Sequence, residues 1–124
     1  METLNFLCPL RHTMDIIGGK WKLPILCILA DGQPHRYSDI RKRIPDITNM
    51  MLSQSLKDLE KHSIVTRTQY NEVPPRVEYT LADNMDELLE PLKMLGRWGS
   101  KNMMETGSCE PACQQCTGHK EENA

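Results

Sequence analysis

The sequence predicts a mainly α fold with a small β-hairpin, and three patterns carry that expectation. Apolar residues recur at helical spacing in several separate stretches, as in Leu52, Leu56 and Leu59. One region, from Ile64 to Leu81, alternates instead and is rich in β-formers. Gly18-Gly19, Gly32-Gln33-Pro34 and Pro45 punctuate the helical stretches.

Pro9 suits the first position of a helix, and Leu10, Met14 and Ile17 keep helical spacing until Gly18-Gly19 stops the run. Trp21, Leu23, Ile25, Leu26, Ile28 and Leu29 form a dense apolar helix with Pro24 near its start and Asp31-Gly32 at its end. This is the expected buried helix, with Cys27 in the core. His35-Arg36-Tyr37 can form a minimal strand, and Ser38 can cap a helix that runs through Arg43 until Pro45 ends it. Asp46 or Thr48 opens the next helix. Its polar face carries Asn49, Ser53, Gln54, Lys57 and Lys61, so the two helices with their tight break read as a helix-turn-helix. Ile64 to Tyr70 and Val77 to Leu81 then form a hairpin around the stiff loop Asn71-Glu72-Val73-Pro74-Pro75, a wing directly after the second helix. The expected fold is a winged helix-turn-helix.

A final helix, 85–104, presents Leu88, Leu92, Leu95, Trp98 and Met103 in a stripe, with a kink expected at Pro91. It lies outside the three-helix-plus-wing core, so the stripe needs a partner surface. Folding back on its own domain would cover it. So would a homodimer formed through the first and last helices, the favoured reading because two-fold dimers suit palindromic DNA sites.

The chain has 124 residues, 39% hydrophobic and 26% charged, which suits one domain with one core. The expected division is a DNA-binding and dimerisation domain over 1–105 and a Cys-rich tail over 106–124. The acidic start, broken by Asn5 and Pro9, does not look like an export signal, and no stretch approaches eighteen consecutive apolar residues. The expected setting is cytoplasmic, with no membrane partner and with the five cysteines reduced. The net charge of −2 conceals an asymmetry: residues 20–76 hold ten basic residues against six acidic ones, and the flanks carry the acidic excess. That electropositive middle fits double-stranded DNA, although by charge alone such a stretch is more often a solvated surface.

The segments IGGKWKLPIL, RYSDIRKRIP, LSQSLKDLEKHSIVTR and EVPPRVEYTL, in order between about Cys8 and Gly99, resemble the HxlR-type family of winged helix-turn-helix regulators. The resemblance implies a dimer that binds DNA near a promoter. In one subgroup a cysteine just before the first helix senses oxidants or electrophiles, and Cys8 stands at that position. Met50 stands where these proteins often carry Lys or Gln, and Asn84 where they usually have Gly, a change that Asn tolerates in the left-handed conformation.

A major groove admits one helix, read by short polar or long basic side chains near its N-terminal half. Thr48, Asn49, Ser53 and Gln54 fit base reading, and Lys57 fits a phosphate. Arg76, beside Pro74-Pro75, would touch a minor groove or backbone, or else pair with Glu72 or Glu78. Cys8 precedes a Pro at the first helical position, so it is an N-cap, where free N–H groups and the helix dipole favour a reactive thiol. A buried, inert thiol beside Phe6 and Leu7 is the other reading.

In the tail, Cys109, Cys113, Cys116 and His119 have the close spacing of zinc ligands. Their spacing also resembles that of iron–sulfur ligands in radical enzymes, whose large barrel this chain is too short to form. The favoured reading of the tail is an incidental acidic extension. Nothing else implies a cofactor, and no catalysis is expected. The sequence has no phosphate-cradling Gly-rich loop, no local Ser/His/Asp signature and no clustered carboxylates with a neighbouring His. The expected function is a DNA-binding transcriptional regulator responding through Cys8. The alternatives are a metal-responsive regulator sensing through the tail, or a winged-helix module that binds protein instead of DNA.

Overall fold

This computed structural model describes residues 8–107. Among them the chain forms, in order, α1 (Pro9–Ile17), α2 (Lys22–Leu29), β1 (His35–Arg36), α3 (Tyr37–Arg43), α4 (Asn49–Lys61), β2 (Val65–Tyr70), β3 (Arg76–Leu81) and α5 (Asp86–Thr106).

Local chemistry sets most of the boundaries. Cys8 is extended and caps α1: the Arg11 N–H donates to its Sγ at 3.4 Å, and Pro9 fills the first position, where no N–H is needed. At the other end the Gly18 N–H donates to the Met14 carbonyl at 2.7 Å. A Cβ on Gly18 would run into that oxygen, so only glycine closes the helix in this way. Thr48 is the cap that opens α4, its Oγ1 accepting from the Met51 N–H at 3.1 Å; Asp46 is not.

Ser38 does not cap α3. The helix starts one residue earlier, at Tyr37, after an extended Arg36 that makes no side-chain cap bond. The minimal strand correspondingly shortens to His35–Arg36. Its two residues pair antiparallel with β3, His35 opposite Tyr79 and Arg36 opposite Glu78, so the expected hairpin becomes a three-stranded sheet in the order β1-β3-β2. In the hairpin itself, β2 and β3 run in register from Val65 opposite Leu81 to Tyr70 opposite Arg76.

The core is the meeting of the buried helix faces with one face of the sheet. Ile17, Ile25, Leu26, Leu29, Ile40, Leu52, Leu56 and Leu59 are almost wholly buried, joined by Val65 and Tyr79. Each such aliphatic side chain stabilises the fold by about 1.5–3 kcal/mol through the apolar surface it removes from water. Cys27, expected in the core, is half-buried on α2. Helix α4 packs against α1, α2 and β2, which leaves its opposite side to solvent.

The chain divides into two compact units between Asp83 and Asn84. Asn84 takes the left-handed conformation, φ +64°, which its short polar side chain tolerates. Helix α5, in the second unit, runs through Pro91 and ends at a left-handed Gly107. No residue of α5 is buried, and Leu95 and Trp98 are 57% and 66% exposed. No helix among the described residues is long and apolar enough to cross a membrane.

Candidate nucleic-acid interface

Helices α3 and α4 form the helix-turn-helix, and a phenol fixes their geometry. The Tyr37 hydroxyl, on α3, lies 3.0 Å from the Asn49 carbonyl, 3.2 Å from Asn49 Oδ1 and 3.1 Å from Ser53 Oγ. A phenol has one proton, so it donates to an Asn49 oxygen while its own oxygen can accept from Ser53. The first turn of α4 is thereby tied to α3.

The solvent side of α4 carries the residues singled out from the sequence. Asn49 keeps its amide N–H groups after Oδ1 is engaged, whereas the Thr48 hydroxyl oxygen is occupied as the cap. Gln54 donates through Nε2 to Asp58 Oδ1 at 3.1 Å and retains its carbonyl oxygen. Asp58 is in turn held by Lys22, 3.6 Å away, whose Nζ also donates to the Ile16 carbonyl. Lys57 is exposed.

Two clefts flank this face. One, of about 490 Å³, lies between α3 and the start of α4 and is bounded by Tyr37, Ser38, Arg41, Lys42 and Asn49 among others. The other, of about 380 Å³, lies between α4 and the sheet, with Ser53, Lys57 and Arg67 on its walls. Among the described residues Arg41, Lys42 and Lys57 are exposed and enter no ion pair, so their charge is available to an anionic partner. Tyr37, Arg41 and Lys42 were absent from the residues expected from the sequence. The run Arg41-Lys42-Arg43 was visible as charge, but only the folded turn brings it beside the start of α4.

Arg76 is engaged on three sides. Its Nη1 donates to Glu78 at 2.8 Å, its Nη2 to Glu72 at 2.9 Å, and its guanidinium stacks 4.0 Å from the Tyr70 ring centroid. It ties the two strands of the wing together. Glu72 is the more exposed of its partners, 50% against 15% for Glu78, and so the one that a phosphate could replace.

One cluster contradicts the expectation that no carboxylates gather beside a histidine. His35, its side chain only 6% exposed, places Nδ1 2.6 Å from Asp39 and Nε2 2.9 Å from Asp31. Burial alone would lower its pKa, but the hydrogen bonds and charges of Asp39 and Asp31 outweigh burial and raise it above 6.5. The Asp39 carboxyl is held below 3.8, chiefly by its His35 hydrogen bond and with help from Arg43. Burial pushes Asp31 up, but the Gln33 N–H and His35 more than offset this and lower it. The cluster ties the turn after α2 and β1 to α3, the first helix of the helix-turn-helix.

Cys8 is exposed. Cys109, Cys113, Cys116 and His119 lie outside the described residues. Among the described residues no group of three or more His, Cys, Asp or Glu is placed to hold a metal ion.

A helix-turn-helix with an exposed polar second helix, followed at once by a hairpin, defines a winged helix-turn-helix chain. The chain belongs to the HxlR-like helix-turn-helix family, whose model matches residues 16–107. An uncharacterized HTH-type transcriptional regulator of Halalkalibacterium halodurans is 45% identical over 94 residues, spanning 76% of this chain and 83% of that protein. The crystal structure of the HTH-type transcriptional regulator YtcD, a Bacillus subtilis protein, is 40% identical, with a TM-score of 0.72 over 77% of this chain and 97% of its own. The redox regulator HypR in its reduced form is 39% identical, with a TM-score of 0.71 over 82% of this chain and 100% of its own. The chain is thus a transcriptional regulator of helix-turn-helix type, and no enzymatic family is indicated.

Proposed function

We propose that the protein binds double-stranded DNA as a homodimer at a palindromic promoter site, with α4 of each subunit in the major groove of one half-site. The observation that carries this reading is the exposed polar face of α4, pinned to α3 by Tyr37 and flanked by the unpaired cations Arg41, Lys42 and Lys57. Asn49 and Gln54 offer donors and acceptors to base edges, with Thr48 and Ser53 ordering the turn that presents them. Arg41, Lys42 and Lys57 meet phosphates. Arg76 joins them by exchanging Glu72 for a phosphate oxygen.

The test is binding to DNA selected from a random pool, measured across salt concentrations. Gln54→Ala is expected to lose discrimination among sites by about 1–3 kcal/mol per base contact. Arg41→Ala is expected to weaken binding to all sequences and to reduce the salt slope by about one. If both variants bind the selected site as wild type does, α4 is not the recognition helix. If wild type shows no salt-dependent DNA affinity, the protein-binding alternative takes over.

The proposed signal acts at Cys8, because its exposed sulfur is the cap of α1 and the 39% identical HypR is a redox regulator. Alkylation or oxidation of that sulfur disturbs the start of α1, half of the proposed dimer contact, and so the spacing of the two recognition helices. Cys8→Ser keeps a good capping oxygen while removing the thiol. Wild type is expected to change its DNA affinity after electrophile treatment and Cys8→Ser to remain unresponsive. An equal response from the serine variant would move the signal to Cys109, Cys113 and Cys116, and to a tail that binds zinc or another metal.

A further inference from the structure

We propose that Met50 is a specificity-determining residue that reads the 5-methyl group of a thymine in the major groove, an inference that rests on the DNA-binding reading above. Met50 is the second residue of α4 and is 81% exposed. A single exposed methionine needs no explanation. The position of this one does, because the N-terminal part of the second helix is the part that a helix-turn-helix lays against base edges.

Each neighbouring polar side chain already has one partner within the protein. Thr48 caps α4, Asn49 Oδ1 and Ser53 bond Tyr37, and Gln54 bonds Asp58. Met50 is the more exposed of the two apolar side chains in the first turn of the helix, 81% against 44% for Met51. It has no donor and only a weak sulfur acceptor, so beside a cytosine amino group or a purine it would cover a polar edge without satisfying it. The thymine methyl is the apolar group that the major groove presents. The unbranched thioether has three rotatable bonds with which to find it.

The test uses full-length protein and DNA selected by it from a random pool, with each thymine of the site replaced in turn by deoxyuridine, which removes only the methyl group. Wild type is expected to lose about fourfold in affinity at one thymine per half-site, the factor that corresponds to about 0.8 kcal/mol for one buried carbon. Met50→Ala is expected to bind the thymine site more weakly and to be indifferent to deoxyuridine at that position. Because the side chain is exposed, this variant should retain the wild-type circular dichroism. If wild type is indifferent at every thymine, or if Met50→Ala is as sensitive as wild type, Met50 reads no methyl group although salt-dependent binding persists. If wild type enriches no DNA at all, the DNA-binding reading itself falls, and Met50's role with it.

Discussion

Leu95→Asp is expected to convert the proposed homodimer to a monomer and to abolish the tight operator binding proposed for it. Helix α5 has no buried residue, and Leu95 and Trp98 present large apolar surface along it. Leu10 on α1 is exposed in the same way. Exposed apolar side chains along α5 fit the proposed interaction surface, and a second copy of the chain is the occupant that the proposed palindromic site calls for. A carboxylate placed at Leu95 would have to lose its water without gaining a partner, which costs at least several kcal/mol. The dimer dissociation constant should therefore rise by about a thousandfold or more. A monomer also holds only one half-site, so the operator loses the second recognition helix. Since Leu95 is exposed in the single chain, the core and the circular dichroism spectrum should be unchanged. Sedimentation at micromolar concentration checks the expectation, and a monomeric wild type would overturn the dimer.

Thermal stability is expected to fall as pH rises above about 6.5, the ordinary histidine value, and His35→Gln is expected to remove that slope. Both imidazole nitrogens of His35 face carboxylates. A neutral ring has one N–H and can satisfy only one of them, so the doubly protonated ring fits the site. The surrounding charged and titratable groups are Asp31 after α2, Asp39 and Arg43 on α3, and on β3 Tyr79 opposite His35 and Glu78 opposite Arg36. Glu78 is neutralised by Arg76. Because the His35 pKa is raised on folding, its stabilisation is complete below 6.5 and is lost as pH climbs through the raised value. For Asp31 and Asp39, whose pKa values are lowered, the contribution is present above 3.8 and disappears as pH falls through the lowered values. Maximum support from the cluster lies between those limits. Wild type should lose a few degrees of Tm between pH 6 and pH 9, while His35→Gln should melt lower at pH 6 and change little over the same range. Parallel slopes in the two proteins would show that the cluster contributes no pH dependence.

Much of this protein was legible in its sequence because the relevant physics is local. Helical spacing, the Cys8-Pro9 and Thr48 caps, the glycine stop at Gly18 and the left-handed Asn84 all depend on groups within about four residues of one another. The polar face of α4 followed from the same periodicity. What the tertiary structure decided is partner choice at long range. Nothing local says that His35 and Arg36 pair with β3 some forty residues onward, that the Tyr37 phenol reaches Asn49, or that α3 starts at Tyr37. Asp31, His35, Asp39 and Arg43 recur every four residues, but the first two lie outside any helix, so spacing alone did not mark them as a cluster. Periodicity and capping are written in neighbouring residues; which distant groups meet, and therefore which charges remain open to a partner, is fixed only when the core closes around them.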